Sequence, residues 1–186
     1  MLKEQFSIVP AHNSHIEQVI QISQDCKLNS WTADNYKNEI NRSDSFNIIC
    51  KGISSEKISG FLFTRLIRTL NTRIIDNKVG ASHIHHKIYD EYDEVEILNI
   101  AVLPKHQNRG IGQLIFDFFK DFCIENTIKY IWLEVRESNI QAKNFYLKNG
   151  FQISYSRKNY YQNPAENAMI LKLDLTALSI KNICKK

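Results

Sequence analysis

Apolar residues recur along this chain with two distinct periods. Ile111, Leu114, Ile115, Phe118, Phe119 and Phe122 fall at i, i+3, i+4, i+7, i+8 and i+11, the spacing of one helix face, and predict a helix over 110–126. Ile16, Val19, Ile20 and Ser23 repeat that spacing behind Ser14-His-Ile-Glu17, a capping-box pattern. Thr32 can cap a further helix ending near Asn41, with Trp31 ahead of it as an apolar anchor, and Ser138-Asn-Ile-Gln141 opens one that stops at Asn149-Gly150. Runs rich in β-branched and aromatic residues predict strands over 5–9, 46–51, 58–67, 95–103, 128–135, 151–157 and 168–174. From 68 to 93 the periodicity is lost, which reads as an inserted loop or extended hairpin.

This order predicts an α/β (α+β) chain, and 186 residues suit one well-packed domain over 1–176, with the 68–93 insertion and a basic C-terminal tail at 177–186. Composition narrows the class. With 43% hydrophobic and 24% charged residues the chain is globular, and no apolar run approaches the roughly 20 residues of a bilayer span. The first residues lack the apolar core of a signal peptide. Cys26, Cys50, Cys123 and Cys184 form no Cys-x-x-Cys pair, so a reduced, cytoplasmic setting is expected. A net charge of +4 suits a polyanionic ligand but falls short of a dedicated nucleic-acid binder. His83, His85 and His86 invite a metal, yet their spacing matches no structural site and a solvated loop is the expected reading.

The candidate chemistry centres on Gln107-Asn108-Arg109-Gly110-Ile111-Gly112, between a strand and the strongest helix. Glycines there let backbone approach a ligand, and a helix start offers unpaired N–H groups and a positive dipole end to a pyrophosphate. A triphosphate loop is excluded because no Gly-Lys-Ser/Thr is present. A dinucleotide fingerprint fails because Ile115 stands where its third glycine belongs. An ordinary tight turn remains the plain alternative.

Gln107, Gly110 and Gly112 fit the pattern Gln/Arg-x-x-Gly-x-Gly/Ala, and here the sequence resembles the GNAT family of acetyl-CoA-dependent N-acetyltransferases. More narrowly, Asn99-Ile-Ala-Val102, Trp132-Leu-Glu-Val-Arg136, Ser138-Asn139, Phe145-Tyr146, Gly150-Phe151 and Arg157-Lys-Asn-Tyr-Tyr161 are similar to the bacterial ribosomal-protein-alanine N-acetyltransferases (RimI type). The likeness covers nearly all of 95–175. It extends faintly to Leu28-Asn-Ser-Trp31 and gives the 68–93 stretch no counterpart.

The resemblance implies a GNAT fold: one mixed, mostly antiparallel sheet of about six to seven strands flanked by about four helices. It implies acetyl-CoA as cosubstrate and no metal. The cofactor would lie on Ile100, Ala101, Val102, the run Gln107, Asn108, Arg109, Gly110, Ile111, Gly112 and Gln113, and Asn139. An N-terminal amine has a reference pKa near 8, so most of it is protonated near pH 7 and a base must free it. Glu134 matches the group's base, and strand alternation puts it on the face of Trp132, opposite Leu133 and Val135. Its plain reading is a strand-end charge satisfied by Arg136 or by backbone. Glu96 is the runner-up base, at the position other GNAT enzymes use to activate water. Tyr146 matches the acid that protonates the departing thiolate, against a plain reading as core tyrosine. Tyr160 and Tyr161, in a loop between the last strands, match residues that hold a substrate's backbone, and Trp31 matches a substrate wall or is only a hydrophobic staple.

The implied acceptor is a protein N-terminus, such as that of a ribosomal protein beginning with alanine. The alternatives are a small amine (polyamine or aminoglycoside) and a non-catalytic acyl-CoA-binding module. No direct contact with nucleic acid or membrane is expected, and the chain is expected to be a monomer or weak homodimer.

Overall fold

The computed structural model describes residues 5–28, 31–68 and 92–177. Residues 69–91, with His83, His85 and His86, and the tail from 178 onward lie outside the described residues. The strands are β1 (Phe6–Pro10), β2 (Ile48–Gly52), β3 (Ile58–Ile67), β4 (Glu94–Val102), β5 (Tyr130–Arg136), β6 (Gln152–Gln162) and β7 (Ala165–Asp174). The helices are α1 (Ile16–Asp25), α2 (Ala33–Ile40), α3 (Ile111–Glu125) and α4 (Ile140–Lys148), with short 3-10 turns at Asn13–His15 and Pro104–His106. All strands join one sheet in the order β1-β2-β3-β4-β5-β7-β6. Only β4 and β5 run parallel; every other neighbour is antiparallel.

Both faces of the sheet's central part are covered, so β3 reads as an almost continuous apolar run rather than an alternation. Phe61 and Phe63 turn toward α1 and α2, where they meet Val19, Ile22 and Tyr36. Leu62, Val95, Ile97, Ile131, Leu133, Val135 and Leu171 turn the other way, toward α3 and α4. Along β5 the burial alternates strictly, which sends Trp132, Glu134 and Arg136 to the face opposite the α3–α4 core.

Several local expectations shift. α3 buries Ile111, Ile115, Phe116, Phe119 and Cys123, while Leu114 and Phe118 are 42% and 46% exposed, so the helix is rotated from the face read in the sequence. The helix carries apolar residues on more than one side, and spacing alone does not say which stripe meets the sheet. Ser14 is not a cap: a 3-10 turn intervenes, and the His12 N–H donates to Nδ1 of His15 (3.0 Å). Asn139, not Ser138, caps α4, its side chain accepting from the Ala142 N–H (3.0 Å). Thr32 caps α2 as expected, accepting from Asn35 N–H (3.3 Å).

The feature that opens the site is a bulge in β4. Phe63 pairs with Asn99 and Thr64 with Ile97, leaving Leu98 without a partner on β3. β4 pairs with β5 only over Glu94–Ile97. Past that point β4 follows β3 while β5 follows β7 as far as Arg136, and the two parallel strands part. Gly60 of β3 permits this arrangement. A Cβ there would sit 2.7 Å from the Ala101 carbonyl oxygen and 2.9 Å from the Ile115 side chain.

We therefore expect Gly60→Ala to push β3 from β4 at the opening and to cost about 1–3 kcal/mol, the usual range for overpacking. Thermal unfolding checks the loss of stability; an unchanged melting temperature would contradict the close approach.

Candidate active site

A cleft of about 520 Å³ occupies the parting of β4 and β5. One wall is Ile100, Ala101 and Val102 of β4, another is Asn139, Ala142, Phe145 and Tyr146 from the α4 side, and its floor includes Asn108, Gly110 and Gly112. The loop before α3 turns through left-handed conformations at Asn108 (φ 57°) and Gly110 (φ 84°). It delivers the chain into a helix whose first N–H groups, at Ile111, Gly112 and Gln113, have no intrahelical carbonyl. A Cβ on Gly112 would lie 3.8 Å from Val102 and 3.9 Å from Phe145, both cleft residues.

An extended, partly apolar arm fits between strands that offer backbone groups, and a pyrophosphate fits a helix N-terminus with glycines at its mouth. The residues thus suit acetyl-CoA. Of those expected to hold it, Ile100, Ala101, Val102, Gln107, Asn108, Gly110, Gly112, Gln113 and Asn139 line the cleft. The Ile111 side chain does not; it is 2% exposed in the core, which leaves only its backbone N–H. Arg109 is exposed and outside the lining. Two glutamines turn out to be structural. Gln107 Nε2 donates to the Val102 carbonyl (2.9 Å), which Cys26 Sγ also approaches (3.2 Å). Gln113 exchanges amide hydrogen bonds with Asn149 (2.7 and 3.2 Å), tying the start of α3 to the end of α4 just past Tyr146. Asn149 was legible only as a helix stop, and Cys26 had no sequence signal at all.

Tyr146 lines the cleft and is 5% exposed, with Phe145 and Phe151 against its ring at 5.4 and 5.3 Å. Burial, aided by nearby Tyr161, pushes its hydroxyl pKa well above the ordinary phenol value, so the proton stays on. Glu134 stands on the other side of the sheet's open end. Its carboxylate is paired with Arg157 of β6 and accepts the Tyr160 hydroxyl. The hydrogen bond to Glu134 first, and burial second, push Tyr160 up to about 12, against the pull of Arg157. Glu96 neighbours Trp132 across the β4–β5 pair. Desolvation first, and the Glu134 charge second, raise its pKa above the usual carboxylate range, against the pull of Arg65 and Arg157.

Tyr160 and Tyr161 do not lie in a loop. β6 runs on to Gln162, with an irregularity between Arg157 and Tyr161, and places both tyrosines in the strand with rings 5.2 Å apart. Arg136 is engaged elsewhere. It bonds Glu166 (3.1 Å) and the carbonyls of Asn163 (3.0 Å) and Pro164 (3.2 Å), and its guanidinium lies 4.0 Å from the centre of the Tyr161 ring. Trp31 packs on Tyr36 (5.1 Å) and Phe63 (6.3 Å), the staple geometry, at the rim of the α1–α2 face. Tyr36 in turn receives a hydrogen bond from Asn99 (3.0 Å), beside the bulge.

The family model of the Acetyltransferase (GNAT) family matches residues 16–151, most of the chain. The chain belongs to that family. As a member it is an acetyl-CoA-dependent N-acetyltransferase. The [ribosomal protein bS18]-alanine N-acetyltransferase of Haemophilus influenzae is 37% identical over 109 residues, covering 56% of this chain and 71% of the relative. That of Escherichia coli K12 is 33% identical over 112 residues, covering 59% and 74%. Among solved structures, the ribosomal-protein-S18-alanine N-acetyltransferase of Escherichia coli shares the fold with a TM-score of 0.73 at 22% identity, over 91% of this chain and 94% of that one. Arabidopsis thaliana NAA60, crystallised with acetyl-CoA, gives 0.74 at 17% identity, over 92% and 99%. The acetyltransferase therefore has the sheet the resemblance implied, with seven strands and flanking helices α1 to α4.

Gly112 offers a direct test of the cleft. We expect Gly112→Ala to fold and bind, since its Cβ meets only ordinary contacts, whereas Gly112→Trp fills the cleft and abolishes acetyl-CoA binding without unfolding the protein. Calorimetric titration beside a circular-dichroism melt separates these effects; unchanged affinity in a folded Gly112→Trp protein would remove the cofactor from this cleft.

Proposed function

We propose that this acetyltransferase acetylates the α-amino group of a protein N-terminus, with a ribosomal protein beginning in alanine as its acceptor, in the cytoplasm. The observation that carries the reading is a group of side chains outside the cleft lining, on the sheet face opposite the α3–α4 core. Two carboxylates, Glu134 and Glu96, stand on the sheet face that α1 and α2 leave uncovered, with Tyr160 and Tyr161 on the adjoining edge strand. A cationic backbone terminus needs carboxylates to draw it in and hydrogen-bonding aromatic groups to hold its first peptide units. The names of the relatives in Haemophilus influenzae and Escherichia coli agree with that acceptor.

Acetyl-CoA supplies an acyl group activated as a thioester. The β4 backbone at Ile100, Ala101 and Val102 holds its extended arm, the α3 start at Gly110 and Gly112 faces its phosphates, and Asn139 stands beside it at the α4 cap. Glu134 accepts the proton that the α-ammonium must lose before its nitrogen can attack. Glu96 stands second in line for that role. Its raised proton affinity means that, acting as base, it would give an activity loss on acidification at a higher pH than an ordinary carboxylate. Tyr146, kept protonated by burial, donates its hydroxyl hydrogen toward the leaving sulfur. Trp31 forms one wall of the acceptor site.

Tyr146→Phe removes only a hydroxyl, and we expect kcat to fall by roughly ten- to a thousandfold while acetyl-CoA affinity is unchanged. Glu134→Gln should depress the rate most below the amine's own pKa near 8, and the deficit should shrink as the amine deprotonates itself at higher pH. The phenylalanine variant should show no such recovery. Steady-state kinetics with peptides beginning in alanine, beside polyamine and aminoglycoside acceptors, test the reading. Activity confined to small amines would overturn the acceptor, and an indifferent Glu134→Gln beside a crippled Glu96→Gln would move the base to β4.

A further inference from the structure

A free general base has no need of a bound cation, yet the Glu134 carboxylate is held by the Arg157 guanidinium and by the Tyr160 hydroxyl. The burial of the two partners is unequal. The Glu134 side chain is 19% exposed and that of Arg157 is 46% exposed, so the cation reaches in from the solvent side of an edge strand. Arg157 also has partners that do not depend on Glu134. Its Nη2 donates to the Tyr155 hydroxyl (3.3 Å), and its guanidinium lies 5.8 and 5.6 Å from the rings of Tyr155 and Tyr160. An acceptor α-amine arrives as a cation that needs the same carboxylate. An ion pair with one exposed partner is weak and is readily exchanged.

We propose that Arg157 is a positioning residue that stands in for the acceptor's ammonium group: in the free enzyme it holds Glu134, and it lets that carboxylate go, staying on Tyr155 and Tyr160, when a cationic amine takes its place. The proposal rests on the reading of Glu134 and Glu96 as the acid–base centre. Exchange of one cation for another leaves a positive charge beside Glu134 throughout, so an arriving ammonium can take the place of Arg157.

The charged and titratable groups around this centre are consistent with the assignment. From β4 comes Glu96; from β3 comes Arg65, already paired with buried Glu39 of α2. From β5 comes Arg136, engaged with Glu166 of β7, and Lys172 of β7 lies over Tyr130 and Trp132. From β6 come Tyr155, Tyr160 and Tyr161 beside Arg157. Arg157 is thus the cation paired with Glu134 among the described residues.

The test uses the full-length enzyme at saturating acetyl-CoA, an alanine-initiated peptide, and Arg157→Met beside Arg157→Lys. Loss of the cation makes the carboxylate pair easier to protonate, so the acid limb of kcat/KM should move to higher pH by about half a unit or more in Arg157→Met. It should return in Arg157→Lys. Because a stand-in competes with the amine, the peptide KM of Arg157→Met should stay level or fall. A superimposable pH profile, or a peptide KM raised severalfold, would overturn the proposal, the second result marking Arg157 as a direct acceptor contact. A readout independent of turnover is the ¹⁵N resonance of Arg157 Nε, which should shift when the free-amine peptide is added with CoA and not when its N-acetylated form is added. Equal response to both peptides, or to neither, also overturns it. Should the wild type turn over no peptide, the acceptor assignment fails separately, and the same measurements with the amine it does acetylate decide the role of Arg157.

Discussion

Two parallel strands that begin as hydrogen-bonded neighbours and then part set the terms for everything else in this molecule. One unmatched residue, Leu98, lets β4 stay with β3 while β5 stays with β7, so polar backbone past Ile97 faces an opening instead of a ladder. Unpaired backbone groups away from water are costly, and a ligand with amides of its own can satisfy them. The opening survives because both sides are fixed independently. Gly60 brings β3 against the Ala101 carbonyl on one side, and the β5–β7 ladder runs through Arg136 on the other. The amide pair of Gln113 and Asn149 then closes the third side by joining α3 to α4, which sets Tyr146 against the same space as Gly112.

The charges follow from the same geometry. Here α1 and α2 cover the β1–β3 side of one sheet face, and Trp132, Glu134 and Arg136 are left beyond their reach. Glu134 can therefore be buried enough to be chemically useful while open to an arriving amine. Glu96, opposite Arg65 on β3, has its proton affinity raised by desolvation first and the Glu134 charge second.

How much of this was readable from the chain depended on the range of the interaction. The strand alternation that turns Glu134 toward Trp132 is local, and Asn108 to Gly112 before a helix is local too. Both were legible before any coordinates. The α3 face was misjudged because Leu114 and Phe118 are as apolar as Phe116 and Cys123, and only the sheet decides between them. Asn159 and Pro164 are turn formers and predict a loop at Tyr160 and Tyr161, yet strand pairing with β7 carries β6 through them. The Leu98 bulge leaves no compositional mark. The Arg157 partner of Glu134 leaves no local mark either, since it is 23 positions away and reaches Glu134 only through the sheet order.

That sheet order also divides the enzyme into halves with different mechanical support. The cofactor half is built from core: Ile111, Ile115 and Tyr146 belong to the main buried cluster, so a change there is felt through the packing. The acceptor half is built on β6, the outermost strand, exposed along nearly its whole length and held by the β7 ladder. Its far end is steadied by Arg136, which crosses from β5 to the carbonyls of Asn163 and Pro164 and lies against Tyr161. Weakly supported elements open most readily, which is what an acceptor site must do to admit a protein chain and release it. Tyr160 and Arg157 contact Tyr161, Glu134 and one another at the edge of the sheet, whereas Tyr146 packs directly on Phe151 in the core. Acceptor preference can consequently change on β6 at little cost to the fold, while the acetyl-transfer machinery is tied to the stability of the core.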